Sequence, residues 1–141
     1  MQLVALMHNQ IIRELQDNKK YAKHYSYICE YSRKLNLVAR NELEKGYEYF
    51  FQNHVLDALM VLDLDVSWTN AKIADIGSGA GLPGIPVAIA LHETMKSLYL
   101  IESITKKADF LSHAIHNLEL TKVHIINDRA ENVGRTREMR E

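Results

Sequence analysis

Apolar residues recur at helical steps in the first half of the chain and gather into short dense runs in the second. In YAKHYSYICEYSRKLNL (21–37), Tyr21, Tyr25, Ile28, Tyr31 (or Ser32) and Leu35 fall on one face of a helix. ELEKGYEYFFQNHVLDALMVLDL (42–64) repeats the pattern through Tyr47, Phe50, Phe51, Val55, Leu59 and Leu62, and Asn41 before Glu42 and Glu44 reads as its N-cap. The pattern changes near Asn70. KIADI (72–76), SLYLIE (97–102) and KVHIIN (122–127) are strand-like. Between them lie LPGIPVAIALHE (82–93), a short helix with Pro83 and Pro86 in its first turn, and TKKADFLSHAIHNLEL (105–120). The latter is a helix capped by Thr105, with Ala108, Leu111, Ala114 (or Ile115) and Leu118 on one side. Strand, helix, strand, helix, strand means an α/β fold with a parallel sheet and right-handed crossovers. It is the first half of a doubly wound fold, residues 71–141, behind a helical region, residues 1–70. RAENVGRTREMRE (129–141) reads as the start of a further helix with no strand after it.

Composition narrows the class without changing that picture. A chain of 141 residues with 47% apolar and 25% charged residues suits one soluble domain. No run approaches the ~18 apolar residues of a membrane span, and MQLVALMHNQ lacks the charged start of a signal peptide. The single cysteine, Cys29, excludes an internal disulfide and suits a reducing cytoplasm, so a cytoplasmic location and no membrane partner are expected. The net charge of −1 is unevenly spread. Residues 13–40 hold seven Lys/Arg against three Asp/Glu, and residues 41–75 hold two against seven. The basic stretch fits a solvated helix face or a partner surface.

The strongest chemical signal follows the first strand. Four of the six glycines and both prolines fall in GSGAGLPGIP (77–86). A strand-to-helix turn alone would need one glycine, so this cluster points to a ligand approaching the backbone closely. In this fold, ligands bind outside the carboxyl ends of the strands, where the loop lies. Two ligand classes compete. Gly79-Ala80-Gly81-Leu82-Pro83-Gly84 fits the G-x-G-x-x-G of dinucleotide sites. Asp75-Ile76-Gly77-Ser78-Gly79-Ala80-Gly81 fits an acid followed by G-x-G-x-G, the pattern of S-adenosylmethionine-dependent methyltransferases. Asp75 would repel a pyrophosphate and favour a sulfonium and an ammonium. Glu102, 18 residues past Gly84 at the end of the second strand, suits ribose hydroxyls in either class.

DIGSGAGLPGIPVAIA (75–90), LIESITKKADFL (100–111) and NDRAENV (127–133) resemble the glucose-inhibited division protein B family, whose members methylate a guanine at N7 in 16S ribosomal RNA. The Leu-Pro-Gly-Ile-Pro extension of the loop is specific to that family. NHVLDALMVL (53–62) and YSRKLNLV (31–38) are similar to its helical segments, with Ala58 where Ser is usual and Val38 where Thr is usual. The resemblance covers roughly residues 25–135. It implies a class I methyltransferase Rossmann-like sheet with S-adenosyl-L-methionine as cofactor. Asp75, Gly77, Ser78, Gly79, Gly81 and Leu82 would line its methionine part. Glu102 and Ser103 would lie at its ribose, and Ala130 and Glu131 at its adenine. It also implies 16S ribosomal RNA, or the small ribosomal subunit, as partner, and a monomeric full-length enzyme.

Guanine N7 carries no proton, so no general base is required and no catalytic residue is assigned. Consistently, the chain has no Pro-Cys and no Asn/Asp-Pro-Pro-Tyr/Phe motif. His54, three residues before Asp57, can share a helix face with it near a substrate entrance or simply at the surface. Lys106 and Lys107 open a helix, where they fit a nearby RNA phosphate or plain solvation. No metal site is expected. With only the first half of a doubly wound fold, the chain is expected to be a C-terminally truncated, inactive and self-associating form. The alternative reading is a non-catalytic cofactor- or RNA-binding module.

Overall fold

The computed structural model describes residues 2–136; residues 137–141, part of the last helix expected from the sequence, lie outside them. The chain starts with α1 (Gln2–Gln16) and α2 (Lys19–Tyr31). Asn18 caps α2 by accepting the Lys20 N–H at 3.0 Å. Two short helices follow, α3 (Arg40–Leu43) and α4 (Tyr47–Phe50). A π-helical turn (Phe51–Val55), α5 (Leu56–Leu59) and a 3-10 turn (Met60–Asp63) complete the helical region. The long helix expected from residue 42 onward is therefore broken. Gly46 at φ +92 separates α3 from α4. Asn41 lies inside α3, where Ala39 holds the N-cap position.

The second half matches the expected alternation: β1 (Lys72–Ile76), α6 (Gly84–Leu91), β2 (Ser97–Ile101), α7 (Thr105–Asn117), β3 (Val123–Ile126) and α8 (Ala130–Val133). The strands are parallel in the order β1-β2-β3, with Lys72 opposite Ser97 and Leu98 opposite Val123. Among the described residues β1 pairs on one side only. Ile104, not Thr105, occupies the N-cap position of α7. The Thr105 hydroxyl instead accepts from Asn127 Nδ2 at 3.2 Å.

One core draws on both halves of the chain. Tyr21 and Ile28 of α2 join Phe50, Phe51 and Val55, and these pack with Ile85, Ala88, Leu98, Leu100, Phe110 and Leu111. α6 is apolar almost all round, so burial on several sides stabilises it rather than amphipathicity. Aromatic edges fix the helical layer: Tyr21 meets Phe51 at 6.0 Å between centroids, and Tyr31 meets Phe110 of α7 at 5.2 Å. Strand alternation sends Leu98, Leu100 and Val123 inward and leaves Lys72, Ala74, Ile76 and His124 exposed. Among the described residues no helix is long and apolar enough to cross a membrane.

Candidate cofactor and substrate site

The carboxyl ends of all three strands meet at one cleft of about 230 Å³. β1 contributes Ile76 and Gly77, and β2 contributes Ile101 and, just beyond it, Ser103. The turn after β3 and the start of α8 contribute Asp128, Arg129, Ala130 and Glu131. Parallel strands in register bring these segments together, because each strand ends at the same level and each following turn leaves by the same edge. Gly77, Ser103, Ala130 and Glu131, all expected from the sequence, thus come together. Asp128 and Arg129 belong to the 128–131 segment that the sequence places after a strand end, though neither was assigned a role; Ile76 and Ile101 were not assigned, and their position as the last residues of β1 and β2 is the signal that could have found them. Asn132 Nδ2 and the Arg129 N–H both donate to Asp128 Oδ1, which holds this carboxyl below its usual range.

The loop between β1 and α6 divides its glycines between two jobs. A Cβ on Gly81 would collide with Ile85 and approach Leu111 Cδ2 to 3.2 Å. One on Gly84 would collide with Leu100 and lie 2.5 Å from Asp75 Oδ2. Those two glycines let the loop and α6 pack against the core. Gly77 and Gly79 differ: both have positive φ, +74 and +54. A Cβ on Gly77 would meet nothing within 4 Å, and one on Gly79 only the Gly77 carbonyl oxygen at 3.9 Å. Their open faces leave room at the backbone for a ligand.

The amides of Gly77, Ser78, Gly79 and Gly81, in contrast, are occupied within the protein. Gly77 and Ser78 donate to the Ile101 carbonyl at 2.8 and 3.2 Å, and Gly81 donates to the Ser78 carbonyl at 2.7 Å. Gly79 donates to Glu102 Oε2 at 2.8 Å, while Glu102 Oε1 accepts the Ile104 N–H at 3.0 Å. Buried Glu102 therefore ties the first loop to the second. Asp75 Oδ2 accepts the Gly84 N–H at 3.1 Å, placing a carboxylate at the N-terminus of α6. Burial pushes the Asp75 carboxyl above its usual range. Ser78 is buried, and its hydroxyl donates back to the Asp75 carbonyl at 3.0 Å.

Leu82 faces a different opening. With Pro83, His54, Asp57 and Ala58 it lines a second cleft of about 320 Å³. The glycine loop therefore reaches one cleft at Gly77 and the other at Leu82. His54 and Asp57 share that second cleft, but the residue beside the imidazole is Glu42, whose Oε2 lies 3.4 Å from His54 Nε2. His54 also faces the Phe50 ring at 5.2 Å. The π-helical turn over 51–55 shifts the helical phase between residues 54 and 57, which the simple three-residue spacing did not anticipate. Lys106 and Lys107 stand in the first turn of α7, immediately after the segment holding Ser103 and Ile104. Among the described residues no three His, Cys, Asp or Glu side chains group to hold a metal ion.

Sequence comparison gives these clefts a context. The family described as rRNA small subunit methyltransferase G matches residues 17–140. The chain is 37% identical over 123 residues to the ribosomal RNA small subunit methyltransferase G of Desulfitobacterium hafniense, covering 87% of this chain and 48% of that protein. It is 39% identical over 127 residues to the protein of that name from Dictyoglomus thermophilum, covering 90% and 50%. With the Mycoplasma mycoides protein of that name it shares 38% over 115 residues, covering 82% and 79%. The chain thus spans about half the length of the first two relatives and most of the third.

Proposed function

The chain belongs to the rRNA small subunit methyltransferase G family, and from that premise we propose that its strand-end cleft binds S-adenosyl-L-methionine for methylation of a guanine N7 in 16S ribosomal RNA. One observation carries the choice of cofactor: the glycine loop has open faces at Gly77 and Gly79 but no outward amide among Gly77, Ser78, Gly79 and Gly81. A dinucleotide site presents such amides, and a helix N-terminus, to a pyrophosphate. Here the carbonyls of Ile101 and Ser78 and the carboxylate of Glu102 take those four amides, and Asp75 stands at the helix N-terminus. Two carboxylates beside an open loop suit a cationic ligand and oppose a phosphate.

In this reading Gly77 and Gly79 admit the methionine part. Glu102 accepts from the ribose with the lone pairs not used by Gly79 and Ile104, and Ser103 lies beside it. Ala130, Glu131 and Asp128 flank the adenine. Asp75, Ser78 and Gly81 act one step back by fixing the loop and α6. The bound cofactor supplies an electrophilic methyl carbon on sulfur. The acceptor nitrogen carries no proton, so the chain's task is to align the two partners and exclude water. The cleft at Leu82, Pro83, His54 and Asp57 lies where the acceptor base would approach the other side of the loop.

Calorimetric titration of the chain with S-adenosylhomocysteine and with NAD tests this reading. Binding of the first and not the second is expected, and Gly79→Val should remove it, because a branched side chain would occupy the open face at φ +54. Binding of NAD alone would refute it. Radiolabelled methyl transfer to unmodified small subunits is not expected from this protein, because among the described residues β1 pairs on one side only and Ile76 is exposed beside the cleft. Turnover in that assay would overturn this part of the reading.

Lys106 and Lys107 are proposed to meet RNA phosphates, since helix polarity disfavours two cations in a first turn. Lys106→Glu with Lys107→Glu should flatten the dependence of log RNA affinity on log salt by about 1.5 and leave S-adenosylhomocysteine affinity unchanged. An unaltered slope would assign them to solvent.

A further inference from the structure

The cofactor loop is also held from behind, by a residue whose sequence position gave no hint of it. His24, on α2, is fully buried, and its Nε2 lies 2.7 Å from the Ala80 carbonyl oxygen, 56 residues along the chain. Its Nδ1 is buried with no hydrogen-bond partner among the described residues. Burial pushes the ring down to about 4, so it is neutral at pH 7. A neutral imidazole has one N–H, and only a proton on Nε2 makes the contact with a carbonyl oxygen a hydrogen bond.

Ala80 sits between Gly79 at φ +54 and Gly81 at φ +84. Glycines on both sides leave the peptide units around Ala80 unusually free to rotate. The Ala80–Gly81 unit is nevertheless tied at both polar ends. Its carbonyl accepts from His24, and its N–H donates to the Ser78 carbonyl at 2.7 Å. Rotation of that unit would break both bonds and drag Gly79, whose own N–H is held by Glu102.

We propose that His24 is a positioning residue for the cofactor site: its Nε2–H locks the Ala80–Gly81 peptide unit and so keeps the Gly77–Gly79 faces open in the geometry that receives the cofactor. This rests on the cofactor reading given above. The ring reaches no substrate; it acts through the loop. It also makes the location of α2 a determinant of cofactor affinity, because the α2 backbone carries the donor.

The test compares His24→Phe, which keeps a ring of similar bulk without the donor, with His24→Gln, which keeps an N–H donor at the reach of Nε2. Amide hydrogen exchange and S-adenosylhomocysteine titration are the readouts. In His24→Phe the Gly79 and Gly81 amides should exchange about tenfold faster and affinity should fall about tenfold, as for loss of one buried hydrogen bond. Protection across β2 should stay unchanged. His24→Gln should recover most of both losses, which filling the core alone would not explain. Equal behaviour of wild type and His24→Phe in both readouts would overturn the proposal, as would His24→Gln behaving like His24→Phe. If wild type fails to bind S-adenosylhomocysteine while the exchange pattern responds as expected, the cofactor reading fails and the peptide lock stands. A measurement on the unaltered protein needs no variant to fold: nitrogen NMR of the imidazole at pH 7 should show a neutral ring protonated at Nε2, and an Nδ1-protonated or cationic ring would overturn the proposal.

Discussion

Glu102→Gln is expected to destabilise the chain by about 3 kcal/mol and to bring S-adenosylhomocysteine binding below detection, although it changes no shape and removes a buried charge. Removing a buried carboxylate often relieves desolvation, so the sign needs an argument. Glu102 has two oxygens, and each already accepts a backbone N–H, from Gly79 at 2.8 Å and from Ile104 at 3.0 Å. An amide in the same position has one oxygen. Whichever way it turns, its NH2 group faces one of the two backbone donors, and that donor loses its acceptor in a site that is 6% exposed. Charge-assisted hydrogen bonds to backbone amides are among the stronger ones, and a buried orphan donor bears the full desolvation penalty. The affected amides belong to the two loops that frame the strand-end cleft, so the damage falls on binding as well as folding. Chemical denaturation followed by calorimetric titration measures both. A Gln variant with wild-type stability would show that Glu102 does not tie the loops in solution.

Glu102 also marks the boundary of what the sequence reveals. Its place at the end of β2 was readable, because SLYLI is a dense apolar run and the acid is the residue that follows it. The sequence does not say that this acid reaches back across 23 residues to the Gly79 amide. That contact depends on parallel register, which aligns Ile76 with Ile101. The strands were legible for the same local reason: their patterns are strong over four or five residues, and each is followed by a turn signal. Asp75 shows the opposite limit. Its sequence position suggested an acid acting on the cofactor directly or through water, and the sequence did not show that its carboxylate also accepts the Gly84 N–H at the start of α6. In the helical half, local pattern misled more often, because Gly46 at φ +92 and the π-helical turn at 51–55 change helical phase without any change in the apolar rhythm. His24 was hidden for a different reason. A histidine on the inner face of a Tyr-rich helix reads as core, and its role appears only once tertiary packing brings Ala80 to it.

That buried histidine should make the chain acid-labile well above the range where carboxylates titrate. The ordinary His value of 6.5 applies to the unfolded chain, and burial brings the folded value to about 4. Between those two values the unfolded state binds the extra proton, so stability rises with pH across the window. The His24 contribution is fully present above about pH 6.5, is lost as pH falls towards 4, and changes little below that. Lowering the ring from 6.5 to about 4 corresponds to a loss of about 3 kcal/mol across that window. Other groups act over different ranges. The raised Asp75 carboxyl works in the opposite sense, since its folded form keeps a proton longer and loses stability as pH rises through its own range above 3.8. The lowered Asp128 and Glu42 carboxyls act in the same sense as His24 but only at more acid pH, and both are exposed to solvent screening. Comparing wild type with His24→Phe removes these shared contributions. Unfolding free energies from denaturant titrations between pH 7 and pH 4 should fall more steeply in wild type, by about 3 kcal/mol in total, because protonation puts an N–H on Nδ1 where no acceptor stands among the described residues. Parallel acid profiles for the two proteins would mean that the ring is hydrated or already paired, and that α2 does not bury a neutral histidine behind the loop.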